Sequence, residues 1–130
     1  PGIVGKDLVP VCQHGSIFGD LVPLYPDSEK IVNFTQANLM ADIMGKARAV
    51  VMRGHGVVVA DNAVEAVFIA AHHLEENAQL LVEAAAIGTP VPLPEEEIKR
   101  ASAGTFQPKS IQKGWTYFLE KGRKQGIFWD

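Results

Sequence analysis

Ala49-Val50-Val51-Met52-Arg53-Gly54-His55-Gly56-Val57-Val58-Val59-Ala60 sets one imidazole in a glycine-flanked break between two apolar runs. Each run is four residues long and rich in valine, which suits a buried strand. The two glycines allow a tight reversal and the close approach of a ligand to the backbone. The segment predicts a hairpin of strands 49–52 and 57–60, with His55 at the turn as a candidate metal ligand. A hairpin whose turn merely contains a histidine fits the same residues, because one histidine carries none of the spacing that makes a metal motif specific.

The residues after the hairpin predict a long helix. Asn62 followed by Glu65 reads as a variant of the capping box at its start. From Ala63 onward Ala66, Val67, Ala70, Ala71, Leu74, Ala78, Leu81, Val82 and Ala85 recur at helical spacing, and Gly88 with Pro90 ends the run. His72 and His73 fall inside this helix, where adjacent positions point about 100° apart, so at most one can face any given site. Both are read as structural or exposed.

Upstream, Leu8-Val9-Pro10-Val11-Cys12 reads as a short strand entering a loop at Gln13-His14-Gly15. Val22-Pro23-Leu24-Tyr25 is expected to be extended, since the residue before proline disfavours the helical region. Phe18 and Tyr25 either anchor this loop to the core or line a pocket. Asn33 with Gln36 signals a second helix start, and Ala37, Leu39, Met40 and Ile43 carry that helix to Gly45. Met40 and Met44 read as core fillers. Downstream, residues 88–94 form a proline-rich linker and 95–130 a helical tail. Pro94 opens a helix whose first turn holds Glu95, Glu96 and Glu97, carboxylates that complement the helix dipole rather than a cation site. Ser110 to Lys121 is a further helix, with Ile111, Trp115, Phe118 and Leu119 on one side. The order strand, helix, strand, strand, long helix points to an α/β domain with helices covering a sheet.

Composition narrows the class. A chain of 130 residues, 47% hydrophobic and 21% charged, is long enough for one domain with a real core. Its net charge of −3 gives no reason to expect a nucleic-acid partner, and the basic stretch Lys121 to Lys124 is read as a solvated helix end. Cys12 is the only cysteine, so no intrachain disulfide can form, which suits a reducing, cytoplasmic setting. No run is long enough to span a membrane, and the first eleven residues lack the pattern of a signal peptide.

Read together, the chain resembles the carboxy-terminal portion of the class II aldolase/adducin family. The resemblance is carried by residues 49–60, by Glu65-Ala66, by Leu74-Glu75-Glu76-Asn77-Ala78-Gln79 and by Ala86-Ile87-Gly88-Thr89-Pro90. It extends back through Gly15-Ser16-Ile17-Phe18-Gly19 and Val22-Pro23-Leu24-Tyr25, and so covers most of residues 8 to 100. It implies a three-layer α/β/α sandwich with a mixed or mainly antiparallel central sheet, of which residues 1–130 form part of one domain.

The resemblance also implies a divalent metal, zinc or manganese, held by three histidines. His55 matches the third of these; the other two belong to a His-x-His pair that has no counterpart in this sequence. That pair and the family's catalytic acidic residue are expected ahead of Pro1, which looks like an interior position of a longer protein. The implied activity is carbon–carbon lysis of a small metal-chelating substrate through a metal-stabilised enediolate. Aldol cleavage of a hydroxy-ketone phosphate and decarboxylation of a hydroxy or aromatic acid are its two branches. Epimerisation or dehydration of a sugar phosphate, and a non-catalytic adducin-like interaction domain, are the alternatives.

In relatives the carboxy-terminal segment often packs near a neighbouring subunit's active site, within a homo-oligomer expected to be a tetramer. Tyr117 is accordingly a candidate catalytic residue, as proton donor or hydrogen-bond partner of the substrate. The competing reading is that Trp115, Phe118, Phe128 and Trp129 bury a helix and seal a subunit contact. His14 is the second candidate catalytic residue, because its loop approaches the cleft in several relatives; an ordinary polar loop histidine fits equally.

Overall fold

A computed structural model describes residues 2–3 and 5–127 of the chain. Phe128 and Trp129, assigned above to a subunit contact, lie outside the described residues. The sheet has three strands in the order β1 (Leu24–Tyr25), β2 (Ala49–Met52), β3 (Gly56–Val59). β1 runs parallel to β2, and β2 and β3 form the expected antiparallel hairpin, with Val50 opposite Val58 and Met52 opposite Gly56. Gly54 at its turn has φ of 69°, a left-handed conformation that favours glycine.

Alternation along β2 sorts the core into two clusters. Val50 and Met52 join Tyr25 and Val58 on one face, covered by Ile43, Met40 and Met44 of α1 (Phe34–Met44). Ala49, Val51 and Val59 face the other way, against Ala70, Leu74 and Leu81 of α2 (Val64–Ile87). A period of two thus divides a four-residue strand between two helices. The described residues form a mixed α/β fold with a small mixed sheet and four α-helices. Two shorter helices follow, α3 (Glu95–Thr105) and α4 (Pro108–Lys124), the latter beginning two residues before the expected Ser110.

Of the two helix starts expected to be capped by an asparagine, one is capped and one is not. Asn33 Oδ1 accepts the Gln36 N–H at 2.9 Å, and Gln36 Oε1 in turn accepts the Val32 N–H at 2.9 Å. Asn62, by contrast, does not cap α2. Ala63 occupies the N-cap position with no side-chain bond. Asp61 accounts for the change, because its carboxylate accepts the Asn62 N–H at 2.8 Å and pairs with Arg48 at the entrance to β2. The Arg48 guanidinium also lies 4.1 Å from the centre of the Phe106 ring, and its burial lowers its pKa.

The expected strand over 8–12 reduces to one bridge, Leu8 to Val22. What holds the segment instead is the amide of Asn77, only 2% exposed within α2. Asn77 Oδ1 accepts the Val11 N–H at 2.9 Å while Nδ2 donates to the Val9 carbonyl at 2.9 Å. One side chain therefore replaces the pairing of a missing neighbouring strand. The chain then turns through a 3-10 helix, His14–Phe18, rather than an irregular loop. Gly15 lets this turn reach α2, since a Cβ there would lie 2.2 Å from Asn77 Oδ1. Phe18 and Tyr25, 7% and 2% exposed, serve as anchors in the core.

Replacing Asn77 with alanine strands two backbone polar groups, each costing about 1–3 kcal/mol when buried without a partner. Asn77→Ala is expected to lower the unfolding free energy by roughly 2–4 kcal/mol in urea titrations at constant m-value. A loss below about 0.5 kcal/mol would remove the amide from its bridging role.

Candidate functional site

The Asn77 clamp delivers His14 to the face of α2 that carries His73 and Glu76. These two are three positions apart, so their side chains project from one side of the helix. The rings of His14 and His73 stack at 4.0 Å between centres, 8° from parallel. His14 Nδ1 lies 2.5 Å from Glu76 Oε2, in hydrogen-bond contact. The His14 and Glu76 side chains are 41% and 40% exposed, whereas His73 is buried.

Burial shapes the charge of this group. Desolvation pushes His73 down to a pKa of about 4, reinforced by the neighbouring His14 and His72 and opposed by Glu76. His73 is therefore neutral at pH 7. Its Nδ1 is buried without a hydrogen-bond partner.

α4 supplies the opposite wall. Trp115 and Phe118 meet Phe68 edge-on, at 5.4 and 5.2 Å between ring centres, and Phe118 also packs on His72 at 4.7 Å. Gly114 permits this approach, because a Cβ there would come within 2.8 Å of Ile69 Cδ1. Between the helices lies a cleft of about 600 Å³, lined by His14, His73 and Glu76 on one side and Ser110, Lys113 and Tyr117 on the other. Tyr117 is 59% exposed at this wall.

The family model for the class II aldolase and adducin N-terminal domain matches residues 3–82, from the segment before the clamp to the last core turns of α2. The chain belongs to that family. Among solved structures, this class II aldolase/adducin chain is similar to an aldolase II superfamily protein from Pseudomonas syringae, with 18% identity and a TM-score of 0.76. That match covers 92% of this chain and 49% of the other. An L-fuculose 1-phosphate aldolase from Glaciozyma antarctica PI12 gives 20% identity and a TM-score of 0.77, over 97% of this chain and 48% of that one. A further L-fuculose 1-phosphate aldolase gives 24% and 0.65, over 78% and 48%. At these identities the likeness is one of fold, and the chain spans about half the length of these structures. No curated protein matches the sequence.

Within the class II aldolase/adducin chain, the structure brings together two of the three residues singled out by sequence, His14 and Tyr117, in one cleft. It does not bring His55 to them. His55 sits exposed at the tip of the β2–β3 hairpin and, among the described residues, joins no cluster of three metal-ligating side chains. Sequence reasoning read His73 as structural or exposed and did not weigh Glu76, although their spacing of three on a helix was a legible sign of a shared face. Glu95 and Glu96 both pair with Lys99, as a solvated helix start does. Among the described residues, no helix is long and apolar enough to cross a membrane.

His73 makes stability pH-dependent. Its folded pKa is below the unfolded value of 6.5, so between these values the unfolded chain binds the extra proton and stability falls as pH falls. In metal-free protein, unfolding free energy is expected to drop from pH 7 to pH 4 by up to about 3 kcal/mol from this residue. His73→Gln should flatten that part of the profile; an unchanged slope would place the dependence elsewhere.

Proposed function

We propose that the protein containing this chain is a metal-dependent carbon–carbon lyase acting on a small metal-chelating substrate. Membership of the class II aldolase/adducin family over residues 3–82 carries the reading. The intact protein is taken to complete the three-layer α/β/α sandwich of which residues 1–130 form part of one domain. β1 and β3 flank β2, so each has an outer edge open to further pairing. A homo-oligomer, a tetramer by family resemblance, and a cytoplasmic location belong to the same proposal.

His55 is the proposed ligand for the family's divalent metal, zinc or manganese. Its fit is that of one donor: the side chain is exposed and is hydrogen-bonded to no described residue, which leaves the ring free for a ligand. Among the described residues His55 belongs to no group of three ligating side chains, so the remainder of the donor set is assigned to the rest of the intact protein. When bound, the metal supplies a Lewis acid for negative charge that develops as the bond breaks.

The chain's own contribution is substrate handling. His14, braced by Glu76, and the exposed Tyr117 hydroxyl face one another across the cleft and are assigned to substrate contact and proton transfer. Lys113 adds a positive charge suited to a carboxylate or phosphate. α4 therefore works beside α2 of its own chain, with Trp115 and Phe118 fixing its position. Hydroxy-ketone phosphates are one substrate class, in keeping with the neighbours named L-fuculose 1-phosphate aldolase. Hydroxylated and aromatic acids are the other.

The test is turnover by the intact protein on both classes, with and without chelator. Aldehyde release selects aldol cleavage, and carbon dioxide release selects decarboxylation. His55→Ala is expected to lower turnover by at least about a hundredfold while leaving the circular dichroism spectrum unchanged. Metal-independent turnover, or none on either class, would set the lyase aside and favour the adducin-like interaction domain.

A further inference from the structure

The cleft contains a donor set that the hairpin histidine does not explain. His14, His73 and Glu76 each present one ligating atom, and these three atoms lie within 4.8 Å of one another. His73 and Glu76 are fixed at a spacing of three on a single 24-residue helix, and Asn77, the next residue, is the one that pins the segment carrying His14. The backbone positions of all three residues are therefore set by the fold. His73 also brings a buried Nδ1 that no protein group satisfies, and burial leaves few such nitrogens unpaired in native proteins.

We propose that His14, His73 and Glu76 form a divalent transition-metal site of the two-histidine, one-carboxylate type, separate from His55. The donors define the class of ion. Imidazole nitrogens favour zinc, cobalt, nickel or iron over magnesium and calcium, which prefer all-oxygen surroundings. Bonds of about 2.1 Å in a tetrahedral site place ligand atoms about 3.4 Å apart. The His14 and His73 rings are stacked 8° from parallel, so coordination requires the half-exposed His14 ring to turn out of that stack, and the Glu76 carboxylate to follow it, until the three donors meet at one ion. Three protein ligands leave at least one position open, and it faces a cleft of about 600 Å³ with Lys113 and Tyr117 on the far wall. A small anionic chelator fits that opening: one end takes the open position and a carboxylate or phosphate reaches Lys113.

With the ion bound, His14 serves as its ligand and Tyr117 alone is left for proton transfer in the lyase reading; the ion is held whether or not the protein breaks carbon–carbon bonds.

The probe is Co²⁺ added to chelator-stripped protein, followed by visible absorption and by calorimetric titration, in the wild type and in Glu76→Gln, His14→Ala and His55→Ala. Glu76→Gln keeps the size and hydrogen-bonding reach of the side chain, so it guards against a variant that fails to fold. Binding should weaken in Glu76→Gln and His14→Ala by more than the roughly tenfold to hundredfold seen on losing even an outer partner of a metal site. His55→Ala should retain a tight Co²⁺ with an unchanged ligand-field spectrum. Loss of all tight binding in His55→Ala with none in Glu76→Gln would put the ion at the hairpin and overturn the proposal. No Co²⁺ bound by the folded wild type would overturn it as well. Neither result bears on turnover, by which the lyase reading is judged separately.

Discussion

The contact on which the cleft depends is the Asn77 amide, buried in α2 and bonded to the backbone at Val9 and Val11. Residues 8–12 have no strand to pair with beyond the single bridge at Leu8. Without the amide the Val9 carbonyl and the Val11 N–H would lose their partner, whereas the Pro10 carbonyl still accepts the Leu93 N–H at 2.8 Å. Asn77 answers one donor and one acceptor at once, a task neither aspartate nor leucine can perform. Gly15 is the matching concession on the other side, leaving the space the amide occupies. Because His73 and Glu76 precede Asn77 by four and one residues, the contact that closes the fold also sets His14 against both.

That coupling explains why a strongly polar cluster is tolerated beside the core. His73 shares its helix with Ala70, Leu74 and Leu81, which bury the sheet. Stacking His14 on His73 would repel if both rings were charged, and burial holds His73 neutral instead. Glu76, half-exposed, pairs with His14 without having to be fully desolvated. Each member thus restrains another, and the arrangement carries no isolated buried charge.

Elements whose signal was local were legible in the sequence. The hairpin rested on valine runs and glycines within twelve residues, α1 on a cap three residues long, and the core of α2 on a regular apolar period. Asn62 misled because Asp61, one position earlier, is claimed by Arg48 thirteen residues upstream. The strand expected over 8–12 failed for the related reason that its partner is a side chain 66 residues away from Val11. Such long-range competitors for a polar group leave no mark in a window of local sequence.

The candidate site shows the same division. His14 and Tyr117 were singled out by resemblance, and the cleft places them on facing walls. His73 was set aside because adjacent histidines on a helix cannot face one site, an argument that is correct and yet selects neither. Choosing between them needed the position of α4. Phe118 packs against His72 at 4.7 Å, and this leaves His73 as the ring that meets His14. The aromatic residues of α4 therefore do more than bury a helix: by engaging His72 they decide which of two neighbouring imidazoles belongs to the cluster.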